Sequence, residues 1–184
     1  MMVPSLRAAV LAVAATSVLA ACEEQARTTA TPSTAYAKTS TATAAPRGAC
    51  LAPEELQAVR NEITWQQFYN AAIQCEKGTP AFRSEYGAFR NKYRGDIEAN
   101  NAQFQRAAGK VRVSRDGLKL EIANRDGPSA GGNPRYCAEA QQAFRWALST
   151  QPVQLAQVPP MLDFTPDMGL RSCAATPAAT PARK

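Results

Sequence analysis

Five cysteines and no histidine set the chemistry open to this 184-residue chain. Without histidine there is no Ser–His or Cys–His nucleophile system, and the commonest metal ligand is missing. No serine sits in a G-x-S-x-G elbow. What remains is carboxylate chemistry. Glu54/Glu55, Asp96/Glu98 and Glu121/Asp126 are close enough in sequence to be considered for acid/base cleavage of a glycan, with Glu76 or Glu121 as candidate acid. Each pair sits among Arg or Lys on what reads as a solvated helix face, so charged surface is the expected role. No cofactor or metal motif is expected: there is no Cys-x-x-Cys pair for zinc, and Asp126 to Gly132, although glycine-rich, lacks the spacing of a phosphate cradle.

Cys22 stands apart from the other four thiols. Arg7 supplies a positive start, and Ala8 to Val18 forms an apolar run too short to span a bilayer, the pattern of an export signal. Leu19-Ala20-Ala21-Cys22 resembles the lipobox of bacterial lipoproteins, which implies a signal peptide over 1–21 and a diacylglyceryl group on Cys22. Two or more acyl chains hold a protein stably, where one holds only marginally. Glu23 and Glu24 follow the cysteine with no Asp directly after it, which by the same resemblance favours the outer membrane over the inner one. The expected location is the cell envelope, facing the periplasm.

Cys50, Cys75, Cys137 and Cys173 remain, an even number in an oxidising compartment, so two disulfides are expected, with three pairings open. They bracket a domain expected over 49–173. Residues 23–48 and 174–184 are rich in Thr, Ala and Pro and read as disordered tails, because they hold too little apolar surface to offset ordering entropy. As a flexible coil the N-terminal spacer would reach roughly 28 Å.

The first helix is predicted from Pro53 to about Cys75, with Glu54 and Glu55 at the positive end of its dipole. Leu56, Val59 and Ile63 lie on one face, and Trp65, Phe68, Tyr69 and Ala72 on nearly the opposite one, as in a helix sandwiched between others. Trp65, Phe68 and Tyr69 could form an aromatic ligand shelf, but core is the expected role. Thr79-Pro80 opens a second helix whose stripe runs Phe82, Tyr86, Phe89, Tyr93, Ile97 and Phe104, with a bend near Gly95 and a stop at Gly109. Residues 111–122 alternate around Asp116-Gly117, which by period alone favours a hairpin. A glycine-rich loop over 126–132, a last helix from Asn133-Pro134 to about Ser149 and an extended segment from Gln151 follow.

The stretches Gln66-Gln67 to Cys75, Tyr86-Gly87-Ala88-Phe89-Arg90, Ile122-Ala123-Asn124 and Tyr136-Cys137 resemble a family of small exported helical proteins of Gram-negative bacteria with no assigned activity. The resemblance spans about 50–148. It implies helix where the alternation favours hairpin, and Cys75 joined to Cys137. It implies no catalytic residue. The expected fold is therefore all-α, a disulfide-stapled bundle of about four helices between disordered tails, with a hairpin at 111–122 as the alternative. Cys75 ends the first helix and Cys137 opens the last, which an antiparallel bundle can bring together, whereas Cys50 to Cys75 would have to span a helix of roughly 33 Å. Cys50 then joins Cys173, leaving both tails to emerge from one place.

Arg83 to Arg115 holds eight basic residues against three acidic ones. Arg83, Arg90, Lys92, Arg94, Arg106 and Lys110 form a candidate patch for an anionic lipid, glycan or protein partner. Nucleic acid is not expected, since the tether keeps the domain in the envelope. The expected function is a lipid-anchored structural or interaction module, not an enzyme; the alternatives are a carboxylate-dependent glycan hydrolase and a small lipoprotein subunit of a secretion or conjugation apparatus.

Overall fold

A computed structural model describes residues 36–173, with the side chain of Ser129 left out. The expected signal peptide, Cys22, the spacer up to residue 35 and the 174–184 tail lie outside the described residues. The fold is all-α, with five helices among the described residues: α1 (Pro53–Gln74), α2 (Ala81–Lys92), α3 (Arg94–Lys110), α4 (Arg115–Gly131) and α5 (Tyr136–Leu148). Two short strands, β1 (Lys38–Thr39) and β2 (Leu162–Asp163), pair in parallel. None of these helices is long and apolar enough to cross a membrane.

The central helix is α1, and its two faces bury in different cores. Leu56, Val59 and Ile63 pack with Phe104, Leu118, Ile122 and Met168 in an aliphatic cluster built with α3 and α4. One turn later, Phe68 and Ala71 pack with Phe82, Phe89, Tyr93, Tyr136 and Phe144 in an aromatic cluster built with α2 and α5. Phe68 sits 4.4 Å from both Phe89 and Phe144 by ring centroids. The start of α1 is held by Glu55, whose side chain reaches back to accept the Ala52 N–H at 2.7 Å.

Two disulfides staple these halves. Cys75 and Cys137 join the end of α1 to the start of α5 with a Cα separation of 5.5 Å. Cys50 and Cys173 join the two flanks, with Cα atoms 4.8 Å apart.

Several expectations are corrected. The second helical stripe is two helices interrupted at Tyr93, so that Phe82 and Phe89 enter the aromatic core while Phe104 enters the aliphatic one. Tyr93 is pinned there by its hydroxyl, whose one proton is shared between Ala147 O at 2.7 Å and Pro152 O at 2.9 Å. There is no hairpin at 111–122. Helix α3 ends in a Schellman motif, with Val113 N donating to Ala108 O at 3.0 Å and Arg112 N to Gly109 O at 3.1 Å. Arg112 takes the left-handed position (φ 61°) that glycine usually fills. Ser114 then caps α4 by accepting from Gly117 N at 3.0 Å. Nor is 126–132 a loop: α4 runs on through Pro128 to Gly131, with Asp126 and Ala130 buried.

The domain also begins earlier than residue 49. Residues 36–48 form a strap laid alongside the chain from Met161 to Cys173. Lys38 N donates to Met161 O, Ser40 N to Asp163 O, Ala44 N to Pro166 O and Arg47 N to Gly169 O, all within 3.1 Å. Tyr36 plugs its upstream end into the aromatic cluster and is only 1% exposed. Gly48 (φ 59°) and Gly169 (φ 67°) permit the close approach, since a Cβ would lie 2.5 Å from Lys110 O and 2.2 Å from Ala45 O. Because the strap and the C-terminal segment run parallel, Tyr36 and Cys173 stand at opposite ends of this ribbon rather than in one place.

Candidate functional site

The α1 face that leaves the aromatic core outward carries Trp65, Tyr69 and Ile73, each four residues from the next and so stacked along one side of the helix. Trp65 is half-buried, while Tyr69 and Ile73 are 43% and 54% exposed. Helix α2 lays Tyr86 against them, its ring 5.5 Å from Trp65 and 5.8 Å from Tyr69. One turn on, the Arg90 guanidinium lies 5.9 Å from the Trp65 ring centroid and 6.0 Å from that of Tyr86, within cation–π range of both. Burial pushes the Tyr86 hydroxyl up to about 12, in spite of the Arg90 charge beside it. The shelf considered from sequence therefore divides: Phe68 is core, and Trp65 and Tyr69 face outward.

Beyond these rings the surface is concave. Trp65 and Ile97 form a ridge shared by two clefts. One, of about 370 Å³, is lined by Arg90, Asn91, Arg94 and Glu98. The other, of about 240 Å³, is lined by Asn100, Asn101, Arg115 and Lys119. The two clefts adjoin at Trp65 and Ile97, along α1, α3 and the start of α4, and are together called the Trp65 groove. Arg115 donates from Nη2 to Asn101 Oδ1 at 2.8 Å, while its buried Nε has no hydrogen-bond partner.

Of the basic residues singled out in the sequence, Arg90 and Arg94 line the first cleft together. The others are engaged elsewhere. Arg83 pairs with Glu76 at 2.7 Å. Lys92 donates to Ala147 O and Ser149 O at the end of α5, and burial lowers its ammonium from the ordinary value. Lys110 pairs with Glu55 at 2.7 Å, and Arg106 is exposed near that carboxylate. The candidate patch is thus not one surface.

The candidate acids are also placed. Glu76 is taken up by Arg83, and Glu121 accepts both contacts of Arg47 Nη1, at 2.8 and 2.6 Å, tying the strap to α4. Two carboxylates expected at the solvated surface are buried instead. Glu55 is 4% exposed. Burial alone would raise its carboxyl, but hydrogen bonds from Lys110 and the Ala52 amide outweigh it and hold the group low. Asp126 is 1% exposed and burial pushes its carboxyl up, only partly offset by hydrogen bonds from Asn70 and Gln67. Among the described residues, no group of three or more His, Cys, Asp or Glu is placed to hold a metal ion.

No family model, no curated protein and no solved structure matches the chain. Functional argument therefore rests on the groove itself. Sequence reasoning passed over Lys119 and the asparagines of the second cleft; the spacing Arg115 to Lys119, one helical turn, would have placed both on one side of α4 had that segment been read as helix.

Proposed function

We propose that this protein is an interaction module of the bacterial cell envelope, tethered through a lipidated Cys22, that binds an elongated anionic component of the envelope along the Trp65 groove. The observation that carries the reading is Arg90 set over Trp65 and Tyr86 at the mouth of a cleft it shares with Arg94. Trp, Tyr and Arg are the residues that dominate binding energy at interfaces, because they combine large rigid contact area with directed donors. Arginine forks recognise phosphate and carboxylate, and ring faces accept the flat side of a sugar or the carbon chain of a peptide. Two clefts sharing one aromatic ridge suit a ligand longer than a single sugar.

The lipobox, the oxidised cysteine pairs and the low apolar content of the spacer support an envelope address. Metabolic labelling with palmitate tests the tether: label is expected on the wild type and absent from Cys22→Ala, and label persisting in the mutant would contradict it. Binding is tested by titrating the soluble domain with phosphorylated and neutral oligosaccharides. The phosphorylated ones are expected to bind, with affinity that falls as salt rises and is lost in Arg90→Glu/Arg94→Glu. Equal binding of neutral sugars, or no effect of the charge reversals, would contradict the assignment.

A further inference from the structure

A third cleft, of about 390 Å³, opens where the end of α4, the start of α5, the strap and β2 meet, away from the Trp65 groove. Its walls include Pro128, Met161 and Leu162, and Asp126 contributes a carboxyl that is almost wholly out of solvent. Such a cavity falls in the size range of small-molecule sites, which combine apolar walls with a few placed polar groups.

The charged groups lining the cleft are not all paired. Lys38, Asn133 and Tyr136 each direct a donor at a protein acceptor. Lys38 Nζ donates to Glu139 Oε1 at 2.6 Å, Asn133 Nδ2 to Glu139 Oε2 at 2.8 Å, and the Tyr136 hydroxyl to Gln67 O at 3.2 Å. Gln67 is itself locked by a two-way clamp on β2, donating to Leu162 O at 2.9 Å and accepting from Met161 N at 2.7 Å. Asp126 receives the Asn70 and Gln67 amides and is neutralised by no cation among its hydrogen-bond partners. A carboxylate offers about four lone-pair sites, so acceptor capacity remains on Asp126.

A ligand for this site must therefore bring donors, bring positive charge and carry an apolar body. We propose that the cleft binds a small organic cation, a primary ammonium on a short carbon chain, with Asp126 as its counter-ion and Met161, Leu162 and Pro128 around the chain. Burial already disfavours the ionised Asp126, and a bound ammonium would supply the charge that the protein does not. A neutral alcohol of the same shape fits less well, because it would leave the Asp126 charge without a counter-ion.

Met161 and Met168 give a built-in reporter and control, since one lines this cleft and the other is buried in the aliphatic core. The disulfide-bonded domain, labelled with methyl-¹³C methionine, would be titrated with n-butylammonium chloride and, separately, with n-butanol, at constant ionic strength. The Met161 methyl resonance is expected to move saturably with the ammonium and not with the alcohol, with Met168 stationary. Asp126→Asn keeps an acceptor for Asn70 and should weaken binding about tenfold or more, the scale of a hydrogen bond to a charged group. A Met161 response that is equal for butanol, a response that never saturates, or unchanged affinity in Asp126→Asn would each overturn the proposal. The comparison of ammonium with alcohol on the wild type decides the matter even if the variant does not fold.

Discussion

The two halves of this bundle share one helix and differ in almost everything else. Around the first half of α1, aliphatic side chains close a core that ion pairs seal from outside: Arg47 with Glu121, Lys110 with Glu55, Arg60 with Asp163 and Arg125 with Asp167. Around the second half, stacked and edge-on aromatic rings fill the core and continue out to the surface through Trp65, Tyr86 and Tyr69. The aliphatic half is bordered by these ion pairs, whereas the aromatic half continues outward in rings with the exposed Arg90 guanidinium over two of them. Where a protein leaves such groups uncovered is where a partner would find contact area, so the proposed function divides stability and recognition along α1.

The largest expected effects would break this division at its staples. Removing Cys50–Cys173, which are 123 residues apart, should cost about 5 kcal/mol in the chain-entropy model, and removing Cys75–Cys137, 62 apart, about 4 kcal/mol. Denaturant unfolding of the double-alanine variants measures both, and hydrogen exchange should show the strap amides of Ser40, Ala44 and Arg47 opening first in the former. Next comes packing. Phe68→Ala should cost about 3–5 kcal/mol, because the ring contacts α2 and α5 at once, and Ile63→Val in the other core only about 1 kcal/mol. The two losses should add in the double variant, and a coupling well above about 0.5 kcal/mol would mean that the halves are not separately packed.

The two buried carboxylates sharpen the comparison further, since their shifts have opposite sign. The Glu55 carboxyl is held low in the folded state, so its contribution is present above the ordinary carboxylate value and lost as pH falls through the lowered one. The Asp126 carboxyl is raised, so the folded state holds its proton longer and stability declines as pH rises from the ordinary value through the raised one. Glu55→Gln should therefore lose most relative to wild type at neutral pH, and Asp126→Asn should gain relative to wild type as pH rises across that window. Parallel stability-against-pH curves for wild type and Asp126→Asn would contradict the second. The smallest effect on stability is expected from Trp65→Ala, about 1 kcal/mol or so for a half-buried ring on a helix surface, a variant that should nevertheless abolish binding in the groove.

Much of the framework could be read from residue order. The switch of apolar face along α1 foretold a helix packed on two sides, and the positions of Cys75 and Cys137 at helix ends suited a staple. The misreadings have physical causes. Leu118, Leu120 and Ile122 alternate in sequence, yet in α4 Leu118 and Ile122 are buried while Leu120 is 62% exposed, so an outward leucine imitated a strand. The reversal before α4 uses Arg112 where glycine would have signalled it. Thr, Ala and Pro in the strap looked unable to order, but the strap is held by backbone hydrogen bonds and one buried tyrosine, which composition does not register. The groove was legible only in its parts. Aromatic and basic residues were each noticed, and only the break at Tyr93 and the helical α4 bring Arg90, Arg94, Arg115 and Lys119 to the two sides of Trp65.

The central claim, that the aromatic half is the recognition face, is tested most directly by the emission of Trp65. The chain has two tryptophans, so Trp146→Phe leaves Trp65 as the sole reporter in the groove. Titration with a phosphorylated oligosaccharide at low salt should shift that emission along a saturable curve, and Arg90→Ala/Arg94→Ala should abolish the shift while the unfolding midpoint stays close to that of the parent. Emission that does not change on titration, or that changes equally in the double-alanine variant, would contradict the account.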